Sequence, residues 1–237
     1  IKYYSFYLKS VYFFMNKVFV VSCGNKDFAV KAFLEEWNLD LQKTFKENHP
    51  CHLGENIKAK LNPNEKIILC LGYIRKDKGI HNLISSFEEI AEDNKDLKLI
   101  FGGEYIGEEG KKYVDYLNEI INKSPFKTRI QFIQNYIEQS QFQDLFESAS
   151  VVVIPYSRVI GPSGPIHYAL GRKKIVVATD IGHNSNLSDL VCLYKSQEYL
   201  SDSLLKSLKD EKYISKLKQN IEMYVANNSW YKMATEY

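Results

Sequence analysis

The sequence has little of what would settle its chemistry at a glance. Its four cysteines, Cys23, Cys51, Cys70 and Cys192, form no C-x-x-C pair and no spacing with histidine that suits a metal. That argues against a disulfide scaffold, predicts no metal site and favours a reducing, cytoplasmic setting. An excess of one charge is also lacking. Lys+Arg number 31 against 29 for Asp+Glu, a formal net charge of +2, so no global field marks the chain for nucleic acid. No uncharged run approaches the ~20 residues that span a bilayer. Even the aromatic opening stretch to Val20 is interrupted by Lys2, Lys9 and Lys17. It lacks the apolar core and small-residue cleavage site of a signal peptide as well. It reads as a packed or partner-facing helix, and the start at Ile1 reads as that of a fragment.

Several catalytic signatures are missing too. The dinucleotide fingerprint G-x-G-x-x-G follows neither early strand, G-x-x-x-x-G-K-[ST] does not occur, and there is no G-x-S-x-G elbow. His49, His52 and His81 read as surface or packing residues, and Cys70, inside an apolar run, as a buried thiol. His183, near a strand end, is ambiguous.

What is present is a rhythm. The 237 residues, 45% apolar and 25% charged, amount to one large domain or one domain with part of another. Val18–Val21 reads as a strand and Lys26–Trp37 as a helix, followed by a polar connector from Asn38 to Glu65. Then apolar runs alternate with amphipathic helices. Strands are expected at Ile67–Leu71, Leu97–Phe101, Arg129–Ile133, Val151–Ile154, Ile175–Thr179 and Val191–Tyr194. Helices are expected at Ile80–Ala91, Glu109–Asn122, Gln139–Ala149 and Pro165–Leu170, and from Gln197 onward. Continuous Val/Ile/Leu strands between helices predict an α/β fold, a Rossmann-like doubly wound parallel sheet covered on both faces. Ligands of such sheets bind beyond the carboxyl ends of the strands. The loops of interest are therefore Gly72–Gly79, Gly102–Gly107, Gln134–Ile137, Tyr156–Gly164 and Asp180–Asn186.

Two of these loops carry charge or unpaired donors. In Gly161-Pro162-Ser163-Gly164-Pro165 a proline fixes a helix start beside a strand end. Free backbone N–H groups and the helix dipole would suit a phosphate there, or the loop merely turns the chain. In Gly72–Gly79, Arg75, Lys76 and Lys78 place cations on the same sheet edge, where they either meet a phosphate or stay solvated. Together the two loops favour a phosphorylated ligand.

These pieces resemble the donor-binding, C-terminal half of GT-B glycosyltransferases of the family 4 type. The likeness rests on Leu71-Gly72 through Lys78-Gly79-Ile80, Leu97–Gly103, Arg129–Ile133, Ala149–Pro155, Ala169-Leu170-Gly171 into Ile175–Asp180, Ile181-Gly182, and the ending Ser229–Tyr237, which is similar to that family's crossing helix. It implies residues 1–64 as the end of an N-terminal acceptor-side domain with a connector at His52–Leu61, and residues 65–237 as the nucleotide-sugar donor domain. Two departures stand out. Tyr73 replaces the usual arginine of the phosphate loop while Lys78 is kept, and the two expected glutamates fall on Arg158 and Ile166.

The resemblance implies transfer of a sugar from a nucleotide-sugar to a saccharide, lipid-linked or glycoconjugate acceptor, retaining and metal-independent, with no cofactor, in polysaccharide or glycan biosynthesis. The location implied is cytoplasmic or peripheral at the inner membrane face. Lys78, Arg75, Arg158, Gly161, Ser163, Gly164 and His167 become candidates for the donor's phosphates and sugar. Gly72, Gly103, Gln134 and Asn135 become candidates for its nucleotide. The catalytic residue is not identified. A second reading stands beside this one: a non-catalytic or split-subunit scaffold that pairs with a separate acceptor-binding polypeptide.

Overall fold

The structure is a computed structural model describing residues 18–22, 44–48, 50–54, 65–158 and 163–232. Its contacts divide the chain into two units, Ile1–His49 and Pro50–Tyr237. In the first, β1 (Val18–Ser22) pairs in parallel with β2 (Thr44–Asn48), from Val18 opposite Thr44 to Ser22 opposite Asn48. β2 corrects the reading of Asn38–Glu65 as connector throughout. Its sequence, Thr-Phe-Lys-Glu-Asn, has almost none of the apolar content that identifies a strand, so partner pairing rather than propensity makes it one. The aromatic opening helix and the helix at Lys26–Trp37 lie outside the described residues.

The larger unit carries a six-stranded, all-parallel sheet, as the alternation of runs and helices requires. Its strands are β3 (Lys66–Leu71), β4 (Leu97–Gly102), β5 (Ile130–Ile133), β6 (Val151–Ile154), β7 (Ile175–Thr179) and β8 (Cys192–Tyr194), in spatial order β5-β4-β3-β6-β7-β8. Every residue of β6 is buried, as is all of β3 beyond Lys66, which is why these strands read as unbroken apolar runs. The helices are α1 (Ile80–Ala91), α2 (Gly107–Lys123), α3 (Gln139–Ser148), α4 (Gly164–Gly171), α5 (Leu200–Lys209) and α6 (Glu211–Asn227). On α1 the buried positions Ile80, Leu83, Ile84, Phe87, Ile90 and Ala91 repeat at helical spacing and form one stripe against the sheet. Cys70 is fully enclosed, and burial pushes its thiol up to about 12, as befits a packing residue.

Strand order reverses between β3 and β6. From β3 the chain winds outward to β4 and β5, then returns to the other side of β3 and winds outward again to β7 and β8. The loops leaving β3 and β6 therefore diverge and leave a crevice between them, where ligands of such sheets sit.

Candidate donor-binding site

The crevice is a cavity of about 370 Å³ formed by the loops after β3, β4, β5 and β6 together with the start of α4. Its floor is backbone. Gly72 N–H donates to Gly102 O at 3.0 Å and Gly103 N–H to Ile133 O at 3.0 Å, so each loop continues the sheet by one rung. Gly103 has φ 142°, and a Cβ there would lie 2.1 Å from Gly72 O. Only glycine lets the two backbones approach this closely.

Lys78 is held over this floor. The loop before it makes a short 3₁₀ turn, Lys76–Lys78, closed by Gly79 in the left-handed conformation. Ser157 N–H and Oγ both donate to Asp77 O, at 2.9 and 3.2 Å, tying this loop to the one after β6. The Lys78 ammonium then lies 3.5 Å from the centroid of the buried Tyr156 ring. Burial lowers its pKa from the ordinary value, Asp77 and Cys70 oppose that shift, and the Arg75 cation adds to it. A partly desolvated ammonium next to open space is a group whose charge an anion would satisfy. Burial also raises the Tyr156 hydroxyl well above its usual range, so the ring meets Lys78 as a neutral face.

The other residues expected from the sequence fall into three groups. Gly72, Gly103 and Lys78 line the cavity, and Ser163 and Gly164 sit at its edge beside the lining Pro165. Ser163 is buried, with the Tyr156 hydroxyl the polar group in its reach. Arg75 is turned to its own loop. Its Nε and Nη2 donate to the two Asp77 carboxylate oxygens at 2.9 and 2.6 Å, a bidentate pair that lowers Asp77 and occupies the guanidinium. Gln134 and Asn135 are exposed outside the lining, with Gln134 paired to Asn118. His167 is buried on the far flank of α4, 6.5 Å from the Tyr224 ring of α6. Arg158 is exposed. Gly161 lies outside the described residues.

The helix start offers fewer donors than the sequence suggested. Ile166 and His167 N–H groups both bond Ser163 O, at 3.1 and 3.3 Å, and Pro165 has none. Gly164 is thus the residue of the first turn whose N–H has no use within the helix. Sequence reasoning found the loops but missed much of the lining: Glu104, Tyr136, Ile137, Phe142 and Tyr156. Position after a strand end was the available signal, and it names a loop without saying which of its side chains turns inward. Phe142 gives no such signal, because it reaches the cavity from the body of α3.

The glycosyl transferases group 1 family model matches residues 55–224. No curated protein sequence matches the chain. Among solved structures, a glycosyltransferase from Rickettsia africae matches with TM-score 0.69 and 18% identity, covering 97% of this chain and 65% of its own. Sucrose-phosphate synthase from Thermosynechococcus elongatus matches with TM-score 0.68 and 16% identity over 100% of this chain and 60% of its own. The C-terminal domain of LpcC, a group 1 glycosyl transferase family protein from Francisella tularensis, matches with TM-score 0.63 and 19% identity over 74% and 94%. The chain spans 41%, 60% and 49% of the first three structures it matches, and nearly all of the isolated C-terminal domain. No helix among the described residues is long and apolar enough to cross a membrane. At identities this low the solved structures speak for the fold, the α/β sheet of GT-B enzymes, while the family model covers well over half the sequence. The chain belongs to the glycosyl transferases group 1 family.

Proposed function

We propose that the chain is the donor-binding portion of a glycosyltransferase that moves a sugar from a nucleotide-sugar to a saccharide or glycoconjugate acceptor, in the retaining, metal-independent manner its family resemblance implies. One observation carries the reading: the half-buried Lys78 ammonium faces a cavity at the point where strand order reverses. There it would neutralise the diphosphate whose charge grows as the sugar leaves, and Gly164 N–H would supply a second donor. Tyr73 and Tyr136, both exposed at the cavity mouth, offer flat faces to a base. A matching structure from Burkholderia xenovorans is described as a UDP-forming synthase in complex with glucose-6-phosphate, which supports a nucleoside diphosphate as the leaving group here.

Calorimetric titration with UDP, GDP and sugar nucleotides tests the assignment. One nucleotide should bind, and Lys78→Ala should weaken it about tenfold, the loss of one charge-assisted contact. Equal affinity in the variant would remove Lys78 from the site.

A specific observation keeps the scaffold reading in view. Where the resemblance places two carboxylates, Arg158 is exposed and Ile166 is fully buried in the core. Nucleotide binding without sugar release, in the presence of a separately supplied acceptor-side domain, would decide for the scaffold.

A further inference from the structure

The sheet has a second cavity, of about 300 Å³, at its opposite edge. It is built where β3, β6 and β7 begin: Lys66 opens β3, Ser150 precedes β6, and Lys173 and Lys174 precede β7. Ser207 near the end of α5 and Lys218 of α6 complete the wall. Strands of four to six residues separate this cavity from Lys78 by about 15–20 Å.

Four lysines line this cavity, and the Lys174 ammonium donates to the Glu147 carbonyl at 2.6 Å. Three have carboxylate neighbours: Lys66 with Asp96 at 3.4 Å, Lys173 with Glu222 at 2.8 Å and Lys174 with Glu147 at 3.8 Å. None of those carboxylates lines the cavity. Lys218 makes no ion pair among the described residues. The cavity wall therefore sets four lysines among Ala149, Ile175, Leu208 and Ile214, with no carboxylate in the lining. Ser207 adds a hydroxyl that is buried with no hydrogen-bond partner among the described residues, an arrangement that is costly unless something satisfies it.

Two further observations agree. Burial lowers the Lys174 pKa, Glu147 restores part of it, and the Lys218 and Arg172 cations lower it again. An anion in the cavity would relieve both the desolvation and the repulsion. Lys173 is the one described non-glycine residue with positive φ, at 55°. It holds the position after α4 that glycine usually takes, with its N–H bonded to Leu170 O at 2.8 Å and Lys174 N–H to Ala169 O at 3.0 Å. A lysine there puts a charge on the rim at a backbone cost that glycine would not incur.

We propose that this cavity is a second anion site, separate from the donor cavity, that takes a phosphate monoester or diphosphate through Lys66, Lys173, Lys174 and Lys218. Clustered lysine ammonium groups act as point charges that suit a tetrahedral group with several charged oxygens. The phosphate comes from a soluble ester or from a lipid headgroup.

The test uses the full chain labelled with ¹⁵N and titrated with pyrophosphate. Saturable amide shifts are expected at Ser150, Lys174 and Ser207. They should persist in Lys78→Ala, where the donor cavity is weakened, and their affinity should fall about fivefold in Lys218→Gln, which removes one exposed charge without touching the core. Vesicles of phosphatidylcholine with and without phosphatidic acid, whose headgroup is a phosphate monoester, form the second arm. Saturable pyrophosphate shifts with no vesicle binding assign a soluble phosphate ester. Binding to the phosphatidic acid vesicles that Lys218→Gln weakens, and that competes with pyrophosphate at these amides, assigns a headgroup. Shifts confined to the Gly72–Gly79 loop, or non-saturating shifts spread over all exposed lysines, with no such vesicle binding, overturn the proposal.

Discussion

Lys78 shows how one residue's surroundings set a pH dependence. Its ordinary value is 10.5, and burial beside the Tyr156 ring lowers it. The unfolded chain therefore holds this proton more tightly than the folded one. Below the folded pKa the site costs stability, and the cost disappears as pH rises from the folded value to the unfolded one. Nucleotide binding runs the other way, because only the ammonium attracts a diphosphate. UDP affinity should be flat near neutrality and begin to fall in the alkaline range before the ordinary lysine value is reached. Lys78→Arg should flatten the decline, since a guanidinium keeps its charge. Calorimetry at stepped pH reads this, and affinity that stays level up to the ordinary lysine range would contradict it. Gly79 supports the same loop sterically. It has φ 65°, and a Cβ would stand 1.9 Å from Pro155 O, so backbone would have to move. Gly79→Ala should cost at least about 2 kcal/mol in urea unfolding. A loss below about 0.5 kcal/mol would mean that the loop relaxes freely. Gly79 and Lys78 were both legible in the sequence, as the punctuated end of a basic loop. The Arg75–Asp77 pair was not, because nothing in a string of charges tells which of them satisfy one another locally.

At the scale of elements, the sequence was most informative where burial was complete. α1, β6 and β7 run over the residues that their periodicity marks. Elements with a solvated face or a frayed end drifted by one or two residues. α2 begins at Gly107, ahead of its first periodic apolar residue, and Arg129 belongs to a 3₁₀ turn that precedes β5. β2 was invisible because five largely polar residues become a strand only through a partner. The end of α4 shows a local rule overridden, with Lys173 in the left-handed conformation where glycine is favoured. Lys173→Gly should therefore stabilise the protein by about 0.5–1 kcal/mol, since the backbone strain it relieves exceeds what an exposed ion pair with Glu222 contributes. The same substitution should weaken pyrophosphate binding at the second cavity. Thermal unfolding provides the check, and a lower midpoint would show that the Glu222 pair outweighs the strain.

Across the whole molecule, the parallel sheet and its reversal followed from the alternation of apolar runs, whereas neither cavity's full lining did. The basic cavity joins Lys66, Lys174 and Lys218, three positions from separate parts of the chain that come together only once strand order is known. The resemblance places the donor domain from residue 65, where regular alternation begins. The described residues just before it, 50–54, group by their contacts with the larger unit. Cys51 is fully buried, its N–H donates to Asn228 O at 2.6 Å, and it bridges to Ser229. The His52 carbonyl packs so closely on Gly171 that a Cβ there would fall 2.0 Å from it, and His52 Nε2 accepts from Trp230 Nε1 at 3.2 Å. This short segment therefore fastens the end of α6 and the stretch after it. Two shortened chains separate the two boundaries. Residues 50–237 should unfold in urea at the midpoint of the intact chain's main transition. Residues 65–237 should lose about 2–3 kcal/mol, having given up one buried side chain and the hydrogen bonds around it. If both shortened chains were equally stable, Cys51 and His52 would be passengers on the fold, and the domain would begin where the pattern does.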